Sequence, residues 1–116
     1  MPQRMPVLLD RIDALLEDAV SAPERETILR IERTLTDGYA SALALEGERL
    51  RIEREINGVT SAINNGDSKR RAEELTLLTR RRSKVDGDLS HLRNRLDLLR
   101  RRVREMRAAP PQAQAN

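Results

Sequence analysis

Leu75, Leu78, Arg82, Val85, Leu89, Leu92, Leu96, Leu99, Val103 and Met106 follow one another at alternating steps of three and four. This stretch decides the fold. Only Arg82 breaks the apolar series. A helix with this pattern carries a narrow apolar seam that must be buried against another helix. Upstream, Ile28, Ile31, Leu35, Gly38, Ala42, Leu45, Arg49, Ile52, Ile56, Val59 and Ile63 repeat the same alternation. Between the two seams stands Asn64-Asn65-Gly66-Asp67-Ser68. Asn and Gly tolerate left-handed backbone, and Asp67 or Ser68 can cap the helix that follows. So short a connection forces two long helices into an antiparallel hairpin. The numbers of the facing seam residues, Ile56 with Leu75 through Ile28 with Val103, then sum to 130 or 131 throughout. Two separate patterns therefore agree in register. Gly38 is expected opposite Leu92, and Leu35 opposite Leu96.

The expected fold class is all-α: a long antiparallel helical hairpin, or coiled coil, with a short N-terminal helix and a disordered C-terminal tail. The expected layout is a flexible stretch 1–6, a hairpin domain 7–107 with helices at about 7–20, 22–63 and 68–107, and a tail 108–116. In the first helix Leu8, Ile12, Leu15, Leu16 and Ala19 share one side. Ser21 and Glu24 have the spacing of a capping box, with Pro23 in the first turn where no N–H is needed. The tail AAPPQAQAN has paired prolines and no large apolar side chain, the composition of a disordered segment.

Composition fits this reading. Tyr39 is the one aromatic residue of the 116, and 35% of residues are charged. A two-helix seam fills with Leu, Ile, Val and Ala alone, and high charge with heptad periodicity marks long helices. The absence of cysteine excludes disulfides and thiolate metal sites. No apolar run approaches the roughly 18 residues of a membrane span, and no export signal is evident, so a cytoplasmic protein is expected. The net charge is +3. Residues 67–107 hold 14 basic and 7 acidic side chains, leaving the remainder at about −4. Such asymmetry suits an acidic partner or nucleic acid, or a solvated face with internal pairing.

No catalytic constellation is evident, and the expectation is a protein that is not an enzyme and holds no metal. His91 is the only histidine, and Ser41, Ser83 and Ser90 lack a nucleophile-elbow context. The arginines Arg93, Arg95, Arg100, Arg101, Arg102, Arg104 and Arg107 offer a basic helical surface for nucleic acid. The acidic second helix and the lack of stacking aromatics argue against it.

Three sets of residues stand out as candidate sites. Arg49 and Arg82 occupy seam positions that sum to 131 and so face each other mid-hairpin. They are read either as snorkelling to Glu46, Glu48, Glu53 and Asp86 or as a site for an anion, since guanidinium forks suit phosphate and carboxylate. Asp86, Ser90, Arg93 and Asp97, at steps of four, three and four, share a helix face beside the seam. There Arg93 can meet a phosphate, Ser90 can donate a hydrogen bond and the carboxylates can accept from guanine edges, or the set is a solvated stripe with Arg93 over Tyr39 and Asp97 paired with Arg93 or Arg101 along the helix. The third set lies on the second helix. Leu29, Leu43 and Leu50 form an apolar stripe beside the small residues Ala40, Ala44 and Gly47, with Tyr39 adjoining. A two-helix hairpin does not use all of this surface, and the first helix could cover only part of it, at one end near Leu29. The rest is expected to meet a second copy or another protein, most simply as a homodimer in a four-helix arrangement.

The stretch Asp86-Gly-Asp-Leu-Ser90-His-Leu-Arg93-Asn-Arg-Leu-Asp97 resembles the motif of the RsiG-type anti-sigma factors of actinobacteria, which reads E-x3-S-x2-R-x3-Q-x3-D. Ser90 and Arg93 match it, Asp86 stands for Glu, Asp97 stands where Gln is expected and Arg101 where Asp is expected. On the other helix Asp37 and Ser41 have the first spacing, with Ala44 in place of the Arg. The resemblance implies a small antiparallel coiled coil that binds cyclic-di-GMP and, with it, sequesters a sigma factor. The expected function is accordingly a non-enzymatic regulatory protein–protein interaction module of anti-sigma type responsive to cyclic-di-GMP. The alternatives are a structural coiled-coil scaffold or assembly subunit without a small-molecule ligand, and a basic helical nucleic-acid-binding protein.

Overall fold

The computed structural model describes residues 4–18, 24–63 and 68–108. Three helices account for nearly all of them: α1 (Met5–Asp18), α2 (Glu24–Ile63) and α3 (Ser68–Ala108). The protein is all-α, and the long α2 and α3 pack antiparallel. At 1.5 Å per residue each long helix runs about 60 Å. Residues 19–23, with the expected N-cap Ser21, the loop at 64–67, the first three residues and the tail from 109 lie outside the described residues.

The helix ends differ slightly from expectation. α1 starts at Met5, not Val7, so residues 5 and 6 belong to the helix and not to a flexible lead. Pro6 suits this, because a first-turn residue has no N–H to satisfy within the helix and its fixed φ is already helical. α3 extends one residue further than expected, to Ala108.

The chain divides into two compact units. The first comprises α1, α2 up to Ser41 and α3 from Leu92. Its core is Leu8 and Ile12 from α1, Ile31 from α2, and Leu92, Leu96, Leu99 and Val103 from α3. Each fully buried Leu or Ile contributes roughly 1.5–3 kcal/mol. The second unit is Ala42–His91 and is a two-helix seam of Ala42, Ile52, Val59, Leu78, Val85 and Leu89.

The side-chain contacts are shifted from the level pairing expected from the seams. Leu96 lies against Gly38, where Leu92 was expected, with its Cγ 3.3 Å from where a Cβ on Gly38 would stand. The reason is the lean of helical side chains toward their own N-terminus. Leu96 leans toward the turn of Leu92 and so covers Gly38. Arg107 with Glu32, Arg49 with Asp86 and Arg81 with Glu55 are displaced in the same sense. An antiparallel pair adds the lean of both partners, so touching residues sum to more than level ones.

In the first unit α1 runs antiparallel to α2. Arg11 pairs with Asp37 at 2.8 Å, while Ala14 and Leu15, further along α1, line a cleft with Arg30, Arg33 and Thr34, further back on α2. Asp13 accepts from Arg95 Nε of α3 at 3.0 Å. α1 therefore lies along a flank of α2 marked by Thr27, Thr34 and Ser41, which recur every seven residues and are all buried. This flank precedes the Ile28–Leu35–Ala42 row by one residue. Leu29 follows that row by one residue, so it lies on the opposite flank, at about 100° per residue. The expectation that α1 would cover Leu29 is thus corrected: Leu29 stays 52% exposed. A row of small hydroxyl residues lets α1 approach α2 closely, and the leucine flank does not present one.

Candidate functional site

The three candidate sets fall on helices α2 and α3 and are divided between the two units. In the second unit, Arg49 occupies a seam position but does not stay in the seam. Its side chain turns outward, with Nε 3.2 Å from Glu53 Oε1 and 3.3 Å from Asp86 Oδ1. Burying a guanidinium without counter-charge is costly, and the one-turn reach to Glu53 avoids that cost. Arg82 is half-buried. Among the described residues no carboxylate stands within ion-pair distance of it. Arg49 and Arg82 are therefore not equivalent: Arg49 contacts two carboxylates, and among the described residues Arg82 has none within ion-pair distance.

Asp86 is the most constrained member of the α3 set. Its Oδ1 is sealed from solvent and, despite the proximity of Arg49 Nε, takes no hydrogen bond of good geometry. The ion contact and the missing hydrogen bond agree once direction is considered, because a guanidinium can stand near a carboxylate without aiming its N–H at it. Ser90 is exposed on the next turn of the same unit. Arg93 and Asp97 belong to the first unit, and both are exposed. Arg93 is engaged in an interaction of its own. Asp97 stands 3.9 Å from Arg100, and Arg101, at the position where the resembled motif has Asp, is exposed. His91 is exposed.

The interface set is exposed on α2. In the second unit Leu43 is 69% and Leu50 54% exposed, with Ala44 exposed and Gly47 half-buried. Gly47 has room for a side chain, since an added Cβ would meet only Arg51 Nη1 at 3.8 Å. In the first unit Leu29, Tyr39 and Ala40 are exposed. On α2 the apolar seam residues are buried or half-buried, and these leucines lie outside it, as Leu77 and Leu98 do on α3.

Much of the basic end of α3 is paired. Arg100 approaches Asp97, Arg102 approaches Glu105 and Arg107 meets Glu32 at 2.7 Å. Among the described residues no three His, Cys, Asp or Glu side chains are grouped to hold a metal ion, and no helix is long and apolar enough to cross a membrane.

Two features escaped the sequence reading. One is the buried hydroxyl row Thr27, Thr34 and Ser41. Its signal was present: three small hydroxyl residues at a strict seven-residue repeat, one place before the seam. The other is the cleft of about 320 Å³ between α1 and α2, lined by Arg11, Arg30, Arg33, Ala14, Leu15 and Thr34. No local motif announces it, because it needs α1 to be docked. No protein-family model, curated protein or solved structure matches the chain.

Proposed function

We propose that this chain is a non-enzymatic regulatory module that works by docking another protein on the open flank of α2. The observation that carries the reading is the exposure of Leu43 and Leu50 beside Ala44 and Gly47. Small residues let a partner helix approach closely, and each leucine gains roughly 1.5–3 kcal/mol if that helix buries it. Leu29, Tyr39 and Ala40 offer the same chemistry on the earlier part of α2. A second copy of the chain is the simplest occupant, because closed symmetric dimers are the commonest assemblies. The resemblance of the Asp86–Asp97 stretch to RsiG-type proteins supports a finer reading: a cytoplasmic anti-sigma factor whose partner is a sigma factor and whose ligand is cyclic-di-GMP. Ser90, exposed on that stretch, leaves a hydroxyl open to such a ligand. The pairing along the C-terminal part of α3 favours protein docking over nucleic-acid binding.

The test has two arms. Light scattering at high micromolar concentration should give a dimer mass, and Gly47→Glu, which places a charge on the small-residue face, should return it to monomer without loss of helix content. A monomer in the unmodified protein removes the homodimer. Affinity capture from native extract should then recover a sigma factor through the same face. A cell-division or membrane assembly recovered through it would instead make the chain a scaffold subunit. Titration calorimetry with cyclic-di-GMP should give salt-sensitive binding that Ser90→Ala and Arg93→Ala each weaken. No heat at millimolar ligand removes the nucleotide and leaves the docking face.

A further inference from the structure

We infer that the cleft between α1 and α2 binds a small molecule carrying an oxyanion head on a short apolar body. All of its lining residues lie within the first unit. Its volume, about 320 Å³, is at the lower end of the range of small-ligand sites. Its chemistry is divided. Arg11 from α1 and Arg30 and Arg33 from α2 supply three guanidinium groups, and Ala14 and Leu15 supply an apolar wall.

The charge in the cleft is incompletely answered. Arg11 is held by Asp37 at 2.8 Å, which fixes α1 against α2 and keeps that guanidinium in place. Arg30 pairs with Glu26 at 2.7 Å, one turn away on the same helix. Both members of that pair are more than half exposed, so the pair is weak and an incoming anion can compete for it. Arg33, one turn from Arg30 on the same face, has no carboxylate within ion-pair distance among the described residues. Among the described residues, Arg33 is thus the lining cation without a carboxylate within ion-pair distance. A guanidinium fork matches phosphate or carboxylate oxygens two at a time, and Arg33 is the group free to do so. The Thr34 hydroxyl is already spent on the Arg30 carbonyl oxygen at 2.9 Å, which leaves the arginines as the donors for the head. The apolar body then lies on Leu15, which is half-buried and so has surface still to cover.

The ligand would touch both helices, so it would also act as a fastener. α1 has only 14 residues, a length at which a helix in isolation is marginal. Anything that binds the docked form and not the undocked form stabilises docking by mass action. The cleft shares no lining residue with the Asp86–Asp97 stretch or with the leucine flank. It therefore stands or falls independently of the proposed docking function.

The experiment uses the full chain with hexyl phosphate, hexanoate, inorganic phosphate and hexanol as probes. Hexyl phosphate should bind saturably and at least tenfold more tightly than inorganic phosphate or hexanol. Hexanoate compared with hexyl phosphate tells a carboxylate head from a phosphate head, and preference for either supports the site. At a hundred times its dissociation constant the better probe should slow amide exchange that proceeds through α1 undocking by about 100-fold. Arg33→Gln should weaken binding at least fivefold, and Ala14→Glu, which puts a carboxylate on the cleft wall, should abolish it. Arg80→Gln removes the same charge from an exposed position of the other unit and should change nothing. Helix content by circular dichroism verifies that all three variants are folded. Equal losses in Arg33→Gln and Arg80→Gln, hexanol binding as tightly as hexyl phosphate, or no saturation by either anion would overturn the proposal.

Discussion

The two compact units share a pair of helices and one seam pattern, yet only the first recruits a third helix. The difference lies in the row one residue before the Ile28–Leu35–Ala42 series. In the first unit that row is Thr27, Thr34 and Ser41, all buried. In the second it continues as Glu48 and Glu55, and Glu55 lies within 3.9 Å of Arg81. Threonine and serine are small and tolerate a close neighbour, whereas an ionised glutamate must keep its water or a counter-charge. The seam makes the hairpin in both units. The row beside the seam decides where a further helix can lie.

The contrast breaks most visibly at α1. Leu8 and Ile12 are its two fully buried anchors. Truncating a buried Ile to Ala costs about 2–5 kcal/mol. Ile12→Ala should therefore release most of the docking energy of a short helix, leaving Arg11–Asp37 and Asp13–Arg95 as partly exposed pairs. Amides of residues 5–18 should exchange near the unprotected rate while amides of Ala42–His91 keep their protection. Equal loss of protection in both units would show that they unfold as one, and the distinction between them would fail.

Glycine gives a smaller contrast of opposite signs. A Cβ at Gly38, in the first unit, would run into the Leu96 side chain, and both residues are buried. Gly58 and Gly87, in the second unit, have open space where a Cβ would go. Replacing glycine by alanine in a helix interior gains about 1 kcal/mol when nothing obstructs it. Overpacking a filled core costs about 1–3 kcal/mol. Gly38→Ala should lower stability by roughly 1 kcal/mol net of the helical gain, while Gly58→Ala and Gly87→Ala should each raise it by about 1 kcal/mol. Denaturant melts decide this. A stabilising Gly38→Ala would mean that Leu96 can move aside, and that the contact between the helices is looser there.

These outcomes bear on what the chain made legible. The alternating steps from Leu75 to Met106 and from Ile28 to Ile63 were enough for the antiparallel hairpin, because periodicity reports which face must be buried. The lean that brings Leu96 onto Gly38 is general helix geometry and was predictable, but level pairing ignores it. Hydrophobic pattern points to the apolar flank at Leu29, whereas α1 lies on the flank that carries Thr34. Hydrophobic pattern identifies surfaces that need a partner; it does not say which surface a small helix can approach most closely. The α1–α2 cleft could not be read at all, since Arg11 and Arg33 are 22 positions apart and meet only through packing. Asp86, Ser90, Arg93 and Asp97 were chosen from their spacing, and spacing alone does not show that Arg93 is already engaged.

The smallest effect tests the hydroxyl row itself. Thr27 Oγ1 and Ser41 Oγ are buried without a hydrogen-bond partner among the described residues, whereas Thr34 Oγ1 donates to the Arg30 carbonyl oxygen at 2.9 Å. A buried hydroxyl that lacks a partner carries its desolvation cost with no return, and an apolar group of the same shape removes that cost. Valine has the shape of threonine. Thr27→Val should therefore stabilise the first unit by up to about 1 kcal/mol. Thr34→Val loses a hydrogen bond as it sheds a polar group, so it should be close to neutral. Both changes keep a branched side chain at a buried position of the row, so the comparison isolates the hydroxyl. The gain from Thr27→Val should appear in the exchange of α1 amides as well as in the melting temperature, because the hydroxyl lies on the flank along which α1 docks. If Thr27→Val is neutral or destabilising while Thr34→Val is not, the Thr27 hydroxyl is solvated or bonded in solution. The flank would then be wetter than the packing implies, and α1 would sit on it less closely than Leu8 and Ile12 suggest.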